Sequence, residues 1–226
     1  MDRVESHPGY WPSPWPVECG GNRRQKAAHG RLDAAEGSAE VVSRHDDKWH
    51  VMIVRRDEDQ WYLGGTMPAF TGPPPHGWVE QIDPDSLEAV VSSPDLPCGE
   101  HVWCGAILVH ADGSIMSVNG SYLHKLDPHD LSVLAERELP VSRSHNGLLA
   151  LSDGSLITKD LRLEGQGGTT ITRLDATSLD VLGEPFVLPE GSMGRIASDV
   201  TPNGEFVYVP GTEHLWRLQV RDGAIE

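Results

Sequence analysis

Three stretches of the chain read almost alike: WVEQIDPDSLEAV from Trp78, YLHKLDPHDLSVL from Tyr122 and TITRLDATSLDVL from Thr170. Each is a short alternating run that ends at an aspartate, then a polar turn, then a second apolar run. The aspartates Asp83, Asp127 and Asp175 recur at intervals of roughly 45 residues. A second pattern is interleaved with the first, GAILVHADGSIMSVN from Gly105 and GLLALSDGSLITKD from Gly147, with a looser copy, RIASDVTPNGEFVYVP, from Arg195. In all three an apolar run meets Asp-Gly or Asn-Gly and then a further run. That is a strong hairpin signal, because the favoured two-residue turns need positive φ at their central positions.

Together the two patterns give four short strands per period, and no long segment has helical periodicity. This spacing predicts an all-β chain, a β-propeller of four-stranded antiparallel blades with about four blades present. The blades are placed at about 46–97, 98–142, 143–190 and 191–226, after a Pro/Trp-rich strap and loop over 1–45. Only three strands are evident in the last blade. Either an N-terminal strand at Ala39–Ser43 completes it and closes a small ring, or the chain is the first part of a larger, truncated propeller. The second is favoured, since small rings are the rarer kind and the repeat shows no capping change at Glu226. An open edge would expose unpaired backbone and invite self-association.

Composition narrows the partners. With 34 Asp and Glu against 18 Lys and Arg, the formal net charge is −16. Nucleic acid and anionic membranes attract basic surfaces, so neither is an expected partner. No apolar run approaches a membrane span, and the first residues, MDRVESHPGYW, hold no apolar signal stretch. Three cysteines are too few for a disulfide framework. These features predict a cytoplasmic protein. The 24 glycines and 17 prolines match a turn-rich fold. In the strap, HPGYWPSPWP is expected to lie extended against the propeller side, its tryptophans in a surface groove.

Ligands of propellers usually bind where loops converge at one mouth of the channel. Each blade sends two loops there, one leading into its innermost strand and one joining its second and third strands. Those loops nominate Glu100, His101, Trp103, His145, Asn146, Met193 and Arg195 from the first set. The second set gives His76, Asn119, Lys159, Asp160, Glu213 and His214. Of these, His101 and His145 are the proton-carrier candidates. His76, Glu100, Trp103, Asn119, Lys159, Asp160 and Arg195 are the ligand-binding candidates. Lys159 beside Asp160 reads as a surface ion pair. The hairpins Asp112-Gly113 and Asp153-Gly154 fall on the opposite face as structural turns. Cys98, His101 and Cys104 in PCGEHVWCG form a C-x2-H-x2-C run that could take zinc with Cys19. A Cys98–Cys104 disulfide and unlinked cysteines are the alternatives.

The segment HNGLLALSDGSLITKD from His145 resembles the Asn-Gly-Leu, Ser-Asp-Gly pattern of the gluconolactonase and regucalcin family of six-bladed propellers. The resemblance implies that Asn146 ligates a divalent cation, calcium before zinc, in a site that opens sugar lactones with water. Asp160 is a neighbour by analogy. The positions aligned with Asn146 by sequence are Cys104 and Gly194. Similar wording occurs in quinoprotein-like propellers, which would imply a redox cofactor. The leading expectation is a propeller that binds a small polar molecule or a protein at its mouth. A metal-dependent lactonase-like hydrolase is the first alternative and a quinoprotein-like redox protein the second.

Overall fold

The structure is a computed structural model, and it describes residues 7–26, 41–68, 74–221 and 223–226. Its strands form four antiparallel four-stranded sheets in chain order. The first is β1 (Trp49–Arg55), β2 (Trp61–Met67), β3 (His76–Ile82) and β4 (Ala89–Ser92). Next come β5 (Cys104–Val109), β6 (Ile115–Asn119), β7 (Tyr122–Leu126) and β8 (Val133–Glu138). The third is β9 (His145–Ala150), β10 (Leu156–Asp160), β11 (Thr170–Leu174) and β12 (Phe186–Val187). The last is β13 (Ala197–Thr201), β14 (Gly204–Pro210), β15 (Leu215–Arg221) and β16 (Ala224–Ile225). This is the propeller-like repeat predicted from the sequence. Among the described residues no helix is long and apolar enough to cross a membrane.

The fourth sheet corrects the expectation of a missing outer strand. Ala224 and Ile225 pair with Arg221 and Val220, and Gln219 and Glu226 exchange two backbone hydrogen bonds of 2.9 Å. Two residues suffice because the hairpin at Gly223 (φ +84°) reverses the chain at once. The alternative donor, Ala39–Ser43, lies outside the described residues at 39 and 40, and 41–43 carry no strand.

Local chemistry explains why each blade repeats. In the turn between third and fourth strands, the Asp83, Asp127 and Asp175 carbonyls accept from Leu87, Leu131 and Leu179, at 2.8, 3.0 and 2.9 Å. Their carboxylates accept from backbone N–H groups two or three residues on, as Asx turns do. The turn leaves all three leucines in the left-handed region, at φ 63°, 56° and 61°. Leu131 and Leu179 are fully buried, so their burial offsets the backbone cost. At the opposite end, Asp112 and Asp153 each cap their hairpin by accepting from the following serine N–H at 2.9 Å. Each is clasped by a cation from the blade's third strand, Lys125 and Arg173.

The core lies between blades. Strands β5 and β9 are buried at every position. Met52, Val54, Tyr62 and Val79 of the first sheet pack in one cluster with Ile107, Leu108, Leu123 and Leu148 of the next two. Leu149, Ile157 and Ile171 form a second cluster with Val207, Val209 and Leu218 of the fourth and with Ile196 just before it.

The strap does not lie on the propeller side. It runs along the inner edges of the blades, where innermost strands would otherwise leave backbone groups unpaired. Arg55 N–H donates to Trp15, Val109 N–H to Pro16, and Ser198 N–H to Asn22, at 2.8, 2.7 and 3.0 Å. The Ala150 N–H donates to the Tyr10 hydroxyl at 3.1 Å. All four blades are thus joined to one segment. The fit at Gly9 is close, since a Cβ there would stand 2.3 Å from the Leu151 carbonyl oxygen.

Candidate functional site

Several of the nominated residues sit on strand ends rather than loop tips, which changes their chemistry. Asn119 ends β6, His145 and Asn146 begin β9, and Lys159 and Asp160 end β10. Asn119, His145, Lys159 and Asp160 are fully buried, and Asn146 is 5% exposed. The strand register also corrects one alignment. Val109 pairs with Ile115 as Ala150 pairs with Leu156, so counting back four residues puts Gly105, not Cys104, opposite Asn146 in the repeat.

Lys159 is not a surface ion pair. Its ammonium donates to the Ser192 carbonyl at 2.9 Å, while Asp160 accepts from Arg162 and from the Thr170 N–H, both at 2.6 Å. Burial pushes the Lys159 pKa down to about 7, with Asp160 opposing the shift and Arg195 adding to it.

His145 is held neutral by burial, which lowers its pKa. Its Nδ1 faces the Arg143 and Gly120 carbonyls at 3.0 and 3.3 Å, so the proton belongs on Nδ1. Nε2 is then an acceptor, buried and without a partner among the described residues. Asn146 donates from Nδ2 to the Met193 carbonyl at 2.5 Å and leaves Oδ1 equally unpartnered. Such orphans cost about 1–3 kcal/mol each, so each calls for a reason.

The loop from Met193 to Ile196 ties these groups to the strap. Arg195 donates from Nη1 to the Gly105 carbonyl and lies 3.4 Å from Glu18 through Nε. Arg24 donates from Nη1 to Glu18 at 2.7 Å and from Nε to the Ile196 carbonyl. Gly105 abuts β9 so closely that a Cβ would stand 1.9 Å from the His145 carbonyl oxygen. Strap, second blade, third blade and the loop into the fourth therefore meet at one point, the mouth end of the inner strands.

The other nominees lie apart from this point or serve the framework. His76 is bonded to the Pro74 carbonyl at 2.7 Å and lies 3.4 Å from Asp95. Glu100 is exposed, and Trp103 is 38% exposed. The carbonyls of His101 and Trp103 accept from the Ser144 hydroxyl and the Gly120 N–H. Asn119 donates to the Ser117 hydroxyl at 3.0 Å under Gly77, with Oδ1 unpartnered. His214 is exposed and bonds to Glu190, and Met193 is 56% exposed. Sequence reasoning missed Glu18, Arg24 and Ser192. The signal for the first two was an acidic residue in an apolar stretch followed by the basic run Arg23-Arg24.

The surroundings of Asn146 do not fit a divalent cation. Among the described residues no three His, Cys, Asp or Glu side chains converge on a point that could hold a metal. Arg195 instead brings positive charge to that loop. Cys19, Cys98 and Cys104 are unlinked thiols, and among the described residues they do not come together with His101 in a cluster that could hold zinc.

No protein-family model matches this chain, and neither does any curated protein. Among solved structures, the complex of the fission yeast SREBP-SCAP binding domains aligns over 88% of this chain at 14% identity, with a TM-score of 0.44. This chain spans 56% of the length of the one it matches there. A likeness that low carries no argument about fold or activity.

Proposed function

We propose that this chain is a propeller-type binding module that takes a small polar molecule at the mouth end of blades two to four, without covalent chemistry. The observation that carries this reading is the pair of unpartnered acceptors, His145 Nε2 and Asn146 Oδ1, on adjacent residues at the junction of strap and blades. Both call for donors, as a hydroxyl or amine would supply. Catalysis is not part of the reading, because His145 is fully buried with its one proton engaged by carbonyls. The lactonase-like alternative leans on a cation at Asn146, and the cationic neighbourhood there argues against it.

The reading is tested by NMR titration with a panel of neutral polyols, amines and small acids, following the His145 ring. A member of the panel should shift that ring, and Asn146→Leu should weaken its binding about tenfold, the worth of one hydrogen bond to a buried acceptor. A His145 ring unmoved by the whole panel would sink the proposal.

A further inference from the structure

We infer that the Glu18 carboxylate is an internal stand-in for a ligand carboxylate, and that the mouth binds small carboxylate-bearing molecules in exchange with the Glu18–Gly20 turn. This rests on the mouth being a ligand site and adds the charge class of what binds there.

Two guanidiniums share one carboxylate. Glu18 Oε2 lies 2.7 Å from Arg24 and 3.4 Å from Arg195. The Arg24 side chain is only 10% exposed, and its Nη2 is buried with no partner among the described residues. A guanidinium fork is shaped to hold a carboxylate through two nitrogens, and here one tine is idle. Two cations facing one anion is a local excess of positive charge in a protein whose formal net charge is −16. Buried cations are retained only against anions, so the excess points to an anion that Glu18 replaces in part.

The element carrying Glu18 is suited to exchange. It is a single turn, Glu18–Gly20, with Cys19 at φ +65° inside it and Gly20 at +87°. Arg24 and Lys26 also lie in the left-handed region, at φ +51° and +53°. Side chains with a Cβ disfavour that region, so tertiary contacts hold this stretch in place. The strap on either side is fixed to the blades by the buried Tyr10 and Val17 and by Asn22, while the turn's own backbone bonds, Gly20 N–H to the Val17 carbonyl and Lys26 N–H to the Cys19 carbonyl, stay within the segment, so the turn can shift without undoing those attachments.

The test uses the full chain with glutarate as probe and glutaramide as its neutral counterpart, by calorimetry and NMR. Removing the internal competitor with Glu18→Gln should tighten glutarate binding about tenfold, leave glutaramide unchanged, and lose the gain when Arg195→Met is added. In the unaltered protein, glutarate should shift the Cys19–Gly21 amides and glutaramide should not. That second measurement decides the matter should Glu18→Gln fail to fold. Equal glutarate affinity with and without Glu18, or amides unmoved by glutarate, overturns the inference. Polyols that shift His145 while glutarate does nothing would overturn it and leave the mouth reading standing; a mouth that answers to neither ends both.

Discussion

Asn22 of the strap and Ser198 of β13 hold each other by two hydrogen bonds of 3.0 Å, from the Ser198 N–H to the Asn22 carbonyl and from the Asn22 amide to the Ser198 carbonyl. This pair ties the N-terminal segment to the inner edge of the last blade. Asn22→Ala removes the second bond and keeps the first. The expected outcome is a loss of about 0.5–1.5 kcal/mol in urea unfolding, with faster amide exchange at Ser198. Exchange at Ser198 unchanged from the wild type would show that the strap is held by its other contacts alone.

Lys159 makes stability depend on pH in the alkaline direction. Its folded pKa of about 7 lies below its unfolded value, so between the two the unfolded chain binds more protons and stability rises with pH. Lys159→Met should therefore be more stable than the wild type at pH 6, by up to roughly 4 kcal/mol less the lost bond to Ser192, and should lose that advantage by about pH 10. Parallel denaturation curves for the two proteins across that range would refute the assignment.

Asp112 acts at the other end of the scale. Burial would raise its pKa, but hydrogen bonds from His110, Lys125 and Ser114 outweigh that and hold it well below the usual carboxylate range. A depressed folded pKa gives stability that is complete above the unfolded value and lost as pH falls below about 4. Asp112→Asn should flatten the acid limb of the stability profile. An acid limb as steep in the variant as in the wild type would assign it to other carboxylates.

Thiol labelling checks the cysteines. Cys98 and Cys104 are buried, and burial raises the pKa of both. Cys19 is partly exposed. In native protein Cys19 should label first, with the other two waiting on opening of the fold. Three thiols reacting at one rate would mean that blade two opens readily.

The blade pattern was legible because the information is local. An Asp-Gly hairpin or an Asp-x-x-x-Leu turn is set by side chains bonding to their own backbone within five residues, so Asp83, Asp112, Asp127, Asp153 and Asp175 announce themselves. The strand β16 was not legible, since two residues have no periodicity and Ala224–Ile225 pair only because Gly223 turns them back. At the site, Asn146 and Lys159 were found by their position in the repeat. Their burial was not, because it depends on the loop carrying Ser192 and Met193, 33 and 47 residues further along the chain. Glu18 and Arg24 escaped for the same reason, as nothing near them in sequence says that Arg195 will arrive beside them.

The placement of the strap also sets the order in which the molecule can assemble. His7 is bonded to Glu205 at 2.7 Å across a sequence separation of 198 residues. On a ribosome the segment with Tyr10, Trp11 and Trp15 emerges before the blades, yet its partners in the fourth sheet emerge after the other three. The strap can meet β1, β5 and β9 as they form, but it cannot be fully docked until β13 and β14 exist, and closing so long a loop is a slow step. The strap's last contacts thus form after the four sheets, and the interval before them leaves nascent chains exposed to association with one another.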